Sequence, residues 1–157
     1  MGTQNKRFRE IGNMITKEDL REQVQADIDA DKNIEERRRH GQFATPFSLA
    51  KEIMSYGLEL LDNNNITFLE PSLGTGAFYS ALIQENINVG KNIARATGIE
   101  LDSKYFDSAK YIWGKSNLHI YNADFTHFSP DGKYNLVITN PPYVRHHYIS
   151  QDEKSYL

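Results

Sequence analysis

The chain has no cysteine, which removes disulfides, thiolate zinc sites and cysteine nucleophiles. It has no apolar run long enough to span a bilayer, and its first residues are charged, unlike a secretory signal. The cytoplasm is therefore the expected compartment, with no membrane partner. An excess of basic charge is lacking too: 18 lysines and arginines face 21 acidic residues, for a net charge of −3. If the chain acts on nucleic acid, most of the phosphate-gripping surface must lie elsewhere. Histidines 40, 119, 127, 146 and 147 show no zinc-ligand spacing, so no metal site is expected. No serine has a nucleophile-elbow context. Repeats and low-complexity tracts are absent. The 157 residues are one domain's worth of ordinary globular composition, rich in tyrosine and phenylalanine.

Residues Met1 to His40 are polar and charge-rich and end in Arg37-Arg38-Arg39. Thr16 and Asp19 form a capping-box pattern, and Leu20, Val24 and Ile28 recur at helical spacing. A solvated helix packed on the domain by a thin stripe is expected, with a DNA-contacting arm as the alternative. Thr45-Pro46 reads as a cap followed by proline at the first helical position. Phe47, Ala50, Ile53 or Met54, Gly57 or Leu58, and Leu61 then mark one apolar face. Strands are predicted over Ile66–Leu69, Ala94–Ile99, Leu118–Tyr121 and Tyr134–Thr139, with helices over Ala77–Glu85 and Lys104–Trp113. Phe125 to Gly132 is too short for a full crossover helix. This alternation predicts an α/β fold with a mainly parallel sheet and right-handed crossovers. The polar residues of interest then follow the C-terminal ends of successive strands, where open α/β sheets bind ligands.

Four features sit at those ends. Leu73-Gly74-Thr75-Gly76-Ala77-Phe78 lies between strand and helix, where glycines admit a ligand closely and a helix N-terminus offers N–H groups to an anion. Its spacing departs from Gly-x-Gly-x-x-Gly, and no Gly-Lys-Ser/Thr follows, which disfavours dinucleotide and P-loop readings. Glu100, about one βα unit later, is placed to accept from ribose hydroxyls. Asp124 follows the next strand and can accept from an adenine amino group, with Phe125 beside the ring. Either acid can equally well only cap the next helix.

The fourth feature is Asn140-Pro141-Pro142-Tyr143. An exocyclic amine on a planar ring is a poor nucleophile because its lone pair is delocalised. The Asn140 side-chain oxygen and the Pro141 carbonyl can accept its two hydrogens and draw it toward tetrahedral geometry. Prolines supply carbonyls without a competing N–H. Tyr143 can stack on the ring.

From Gly41 to Tyr143 the chain resembles the N-terminal catalytic part of S-adenosylmethionine-dependent DNA adenine-N6 methyltransferases, of the group whose cofactor motifs precede the catalytic one. The resemblance rests on Gly41-Gln42-Phe43-Ala44-Thr45-Pro46, on Leu69 to Phe78, on Gly98-Ile99-Glu100-Leu101-Asp102, on Asn122-Ala123-Asp124-Phe125 and on Asn-Pro-Pro-Tyr. It implies a Rossmann-like methyltransferase fold: a doubly wound, mainly parallel sheet cut short after its fourth strand, with N-terminal helices. Residues 1–40 would be a charged helical extension and 41–157 a partial cofactor-binding domain. Phe43, Thr45 and Pro46 would hold the cofactor's methionine moiety with Glu70, Pro71, Gly74 and Gly76. Glu100 would bind ribose, Leu101 and Phe125 would frame the adenine, and Asp124 would bind its amino group. Asn140, Pro141, Pro142 and Tyr143 would engage the target base.

Members of that group continue with further sheet and a target-recognition region. The resemblance places the Tyr134–Thr139 strand beside the first strand, covered on its other side by a later one. DNA is thus the implied partner, with a further segment or second chain completing the sheet. Methylation of a protein glutamine or an RNA base is the neighbouring enzyme reading. A non-catalytic cofactor-binding or assembly subunit is the alternative of a different class.

Overall fold

The structure, a computed structural model, describes residues 16–31 and 43–143. The readings for Arg37 to Arg39, His40, Gly41-Gln42 and Val144 to His147 fall outside the described residues. Helix α1 spans Lys17–Asp31, α2 Phe47–Glu59, α3 Ala77–Val89 and α4 Ser103–Trp113. Strands β1 (Asn65–Glu70), β2 (Asn92–Glu100), β3 (Leu118–Asn122) and β4 (Leu136–Val137) form one sheet ordered β3-β2-β1-β4. Every pairing is parallel. The chain steps outward from β1 to β3 and then returns to the far side of β1. That reversal makes the sheet doubly wound and puts its switch point between β1 and β4.

Phe68 is in register with Ala96 and Leu136, and Ala96 with Leu118. These residues, with Ile66 and Ile120, join one core cluster containing Met54 and Leu58 of α2, Phe78 and Leu82 of α3, and Ile112 and Trp113 of α4. Strand side chains alternate between faces, so α2, α3 and α4 all cover the same face. Each large side chain buried there contributes about 1.5–3 kcal/mol of transfer free energy. A Cβ on Gly57 of α2 would come 3.1 Å from Leu136 Cδ1, a measure of how closely α2 approaches β4. The link from β3 to β4 holds only a 3-10 turn at Phe125–His127, as its length predicts. Arg95 of β2 fastens this link: it donates to the carbonyls of Asp131 and Lys133, and its guanidinium lies 4.3 Å from the Tyr134 ring centre.

Two local expectations need correction. The strand predicted over Tyr134–Thr139 narrows to Leu136–Val137. Asn135 explains the late start: its side-chain oxygen accepts from Thr67 N (2.8 Å) and its amide donates to the Asn65 carbonyl (2.8 Å), occupying groups the ladder would use. Thr45 does not cap α2. Pro46 is the N-cap residue, with no side-chain cap bond, and the Thr45 hydroxyl serves another purpose described below. By contrast, the Thr16/Asp19 capping box forms, with Asp19 N donating to Thr16 Oγ1 and Thr16 N to Asp19 Oδ2. Helix α3 also runs four residues past its predicted end, until Gly90 takes up left-handed φ of 72° and halts it.

Candidate functional site

The C-terminal ends of β1 to β4 open onto one cavity of about 750 Å³. Its wall includes Phe43, Thr45, Glu70, Pro71, Gly74, Glu100, Leu101, Asp124, Phe125, Asn140, Pro141 and Pro142. The sequence-predicted residues therefore converge, with three exceptions. Pro46 starts α2, Gly76 faces Trp113, and Tyr143 is 70% exposed outside the wall. The volume falls within the roughly 300–1,000 Å³ usual for small-molecule sites.

The β1–α3 turn does not offer its amides as expected. Glu70 ends β1 on the helix-covered face and is fully buried, so its carboxylate lies under the first turn of α3. It accepts from Tyr79 N at 3.1 Å and from the Phe78 amide. Burial raises its pKa well above the ordinary carboxylate range, against the opposing pull of those amides and of Arg21. Gly74 N donates to Glu100 Oε2 at 2.7 Å. Thus the amides of Gly74, Phe78 and Tyr79, among the donors anticipated for a ligand anion, already serve the protein's own carboxylates.

Glu100 is held from both sides, since Oε1 accepts from Asp102 N at 2.8 Å. Burial pushes its pKa up, and the amides of Asp102 and Gly74 hold it back. The Leu101 amide adds a third hydrogen bond to this carboxylate. Asp124 caps the 3-10 turn, with Oδ1 accepting from Thr126 N (2.8 Å) and Thr126 Oγ1 (2.7 Å). These hydrogen bonds from the Thr126 hydroxyl and amide lower its pKa, so it is a firm anion at neutral pH. Leu101 and Phe125, both apolar yet exposed, flank these acids on the same wall. Exposed apolar groups beside fixed acceptors suit a flat polar ring such as a purine.

Asn140 shows what Thr45 does instead of capping. The Asn140 amide nitrogen donates to Thr45 Oγ1 at 3.1 Å and to the Phe43 carbonyl at 3.3 Å. A carbonyl can only accept, so the amide orientation is fixed and the side-chain oxygen is left to accept. The 43–45 segment thereby sets the acceptor of the Asn-Pro-Pro sequence at the cavity.

Helix α1 supplies wall residues that the sequence reading missed. Arg21, only 2% exposed, and Gln25 line the cavity beside Thr75, and Tyr105 of α4 joins them. A signal was present: Arg21 lies seven residues before Ile28, on the same helical stripe. Its charge disguised it as solvated surface.

A family model described as Eco57I restriction-modification methylase matches residues 3–157. The chain belongs to that family. It is 30% identical over 138 residues to the Type II methyltransferase M.AccI of Acinetobacter calcoaceticus, covering 85% of this chain and 23% of that protein. It is 32% identical to M.HincII of Haemophilus influenzae, covering 74% of this chain and 20% of that one. The chain thus spans less than a third of these relatives. Among solved structures, a Listeria monocytogenes protein assigned as a class I S-adenosylmethionine-dependent methyltransferase superposes with a TM-score of 0.61 at 19% identity. That match covers 81% of this chain and 40% of the other. It shows the same Rossmann-like methyltransferase fold.

S-adenosylmethionine is the cofactor of this family, and the cavity fits it. Four acids (Glu70, Glu100, Asp102, Asp124) and one base (Arg21) line the wall among the described residues, and the cofactor carries two cationic groups and one anionic group. When bound, its sulfonium supplies an electrophilic methyl group. The wall residues would hold that group in a fixed place.

Proposed function

We propose that the complete protein methylates the N6 amino group of an adenine flipped out of DNA, with this chain as its cofactor-binding and catalytic part. The observation that best supports this is the clamped Asn140 amide at the rim of the cofactor cavity. A fixed side-chain oxygen beside two prolines suits an amine whose lone pair must be freed from a ring. Asn140 Oδ1 and the Pro141 carbonyl accept the amine hydrogens, Pro142 stiffens the segment, and Tyr143 stacks on the base. Asn140 is neutral, so the proton leaves after the amine has become cationic. Glu100 holds the cofactor ribose, Asp124 its adenine amino group, and Leu101 and Phe125 the ring faces. Phe43, Thr45, Pro46 and the turn from Glu70 to Gly76 surround the methionine part.

The relatives are named as Type II methyltransferases, which supports a restriction–modification setting. Flipping a base costs a few kcal/mol, normally offset by wide DNA contact. A net charge of −3 offers little of that contact. A further segment or partner chain therefore completes the sheet and reads the target.

The test is to incubate the complete protein with deuteromethyl-labelled cofactor and adenine-unmethylated duplex DNA, then analyse nucleosides by mass spectrometry. Labelled N6-methyladenine is expected, and it should vanish in Asn140→Ala. Label in N4-methylcytosine, RNA or protein glutamine would overturn the substrate assignment. Cofactor binding without any transfer would favour the assembly-subunit reading.

A further inference from the structure

The amino-acid end of the cofactor carries a carboxylate, and three amides of the β1–α3 turn are already engaged by the protein's own acids. The Gly74 amide is taken by Glu100, and those of Phe78 and Tyr79 by Glu70. Four of the five charged residues in the wall are acidic. An anion placed there would be repelled unless a cation met it.

Arg21 is that cation. It is the single basic residue lining the cavity among the described residues, and it is almost completely buried. Its Nε donates to Glu18 at 2.8 Å, and its Nη1 donates to Thr75 Oγ1 at 3.1 Å, within the glycine turn. The Thr75 hydroxyl in turn donates to Gln25 Oε1 at 2.9 Å. Glu18 is anchored in turn by the Ser80 hydroxyl of α3. The guanidinium is therefore fixed along one edge by α1 and along another by the turn. An Nη1 hydrogen remains beyond the one given to Thr75. Arginine suits this place because its planar fork binds carboxylates directionally and keeps its charge when buried.

Resting on the cofactor reading above, we propose that Arg21 is the counter-ion for the carboxylate of bound S-adenosylmethionine, which makes α1 a wall of the cofactor site. Glu18 tempers the charge, so the effect is discrimination rather than the bulk of the affinity. Decarboxylated S-adenosylmethionine keeps the adenosine, the sulfonium and the amine, and lacks only the anion. It is the probe that isolates Arg21.

The experiment titrates the complete protein calorimetrically with S-adenosylmethionine and with its decarboxylated analogue. The unaltered protein should prefer the carboxylated ligand by about tenfold, the scale of one charge-assisted hydrogen bond. In Arg21→Gln that ratio should fall to about one, with the analogue's own Kd unchanged within about twofold. A ratio near one in the unaltered protein overturns the assignment. Equal loss of both ligands in Arg21→Gln also overturns it and leaves Arg21 a purely structural ion pair. Should Arg21→Gln fail to fold by circular dichroism, Arg21→Met decides: a ratio near one supports the assignment and an unchanged ratio refutes it. Failure of both ligands to bind the unaltered protein would refute the cofactor reading itself.

Discussion

Glu100 is a half-buried carboxylate whose two oxygens already accept from the Gly74 and Asp102 amides. Its folded pKa is raised by desolvation, as is that of Glu70. A group with a raised folded pKa favours folding below its unfolded value, and that contribution is lost as pH rises through the folded value. Acidifying the ligand-free protein from about pH 7 to about pH 5 should therefore raise its stability modestly, until the depressed carboxylate of Asp124 begins to protonate. On the proposed reading, in which a ribose hydroxyl donates to ionised Glu100, cofactor affinity should move the opposite way over the same interval, by up to about tenfold. Calorimetric titrations paired with urea melts check both signs, and Glu100→Gln should flatten the affinity profile. Asp124 and Asn140 separate binding from chemistry. Asp124→Ala should weaken cofactor binding by about tenfold or more, whereas Asn140→Ala should stay within about twofold. Equal loss in both variants would refute that division. The residues themselves were legible from their places at strand ends. What the sequence left open was a choice between capping and binding that the fold does not impose. Asp124 caps its turn and still lines the cavity.

At the scale of the element, the two glycines of the β1–α3 turn look alike in the sequence and differ in the structure. Gly76 has φ of 88°, and a Cβ there would sit 2.6 Å from Trp113 Nε1. That indole donates to the Thr75 carbonyl at 2.9 Å and meets the Tyr79 ring edge-on at 5.1 Å, so it cannot retreat cheaply. Gly76→Ala should cost about 3 kcal/mol, from positive φ together with overpacking, measured by urea denaturation. Gly74 has φ of 56° and open space where its Cβ would stand. Gly74→Ala should cost only about 1 kcal/mol of stability, while weakening the cofactor complex that fills that space. Equal stability loss in both variants would contradict this reading. The cores of α2 and α4 could be read from periodicity because each presents an apolar face to a parallel sheet, whereas α3 is buried all round from Ala77 to Leu82. Helix α1 was legible from its capping box and its thin stripe of Leu20, Val24 and Ile28, but the polar part of its docking was not: Arg21 shares the buried face and Glu18 joins it to Ser80 of α3. Charged side chains give no hydrophobic period to detect. Thr45 misled for a related reason: its cap signature is real, but Asn140, 95 residues away in sequence, takes its hydroxyl.

At the scale of the whole molecule, β3 and β4 are the two edges of the sheet among the described residues, and β4 is the edge beside the cavity's Asn140 segment. β4 pairs with β1 alone, and among the described residues no strand meets its outer edge. The order of the strands was implied by the family resemblance, and the place of β4 beside β1 agrees with it. Burial of β4 on both faces does not follow from these residues: Leu136 is covered by the helix layer, whereas Val137 is 53% exposed. Within the apolar succession Leu136-Val137-Ile138, only Val137 is left uncovered by the described residues. An exposed valine on an open edge strand invites pairing between copies. Val137→Lys should therefore reduce self-association of the 157-residue chain in sedimentation velocity runs. Its urea midpoint should change little, within about 0.5 kcal/mol, since the side chain leaves little contact behind. The same substitution in the complete protein should be costlier, by about 2 kcal/mol or more, if further sheet or a partner chain covers that position. A large loss in the short chain, or none in the complete protein, would mean that nothing docks beside β4.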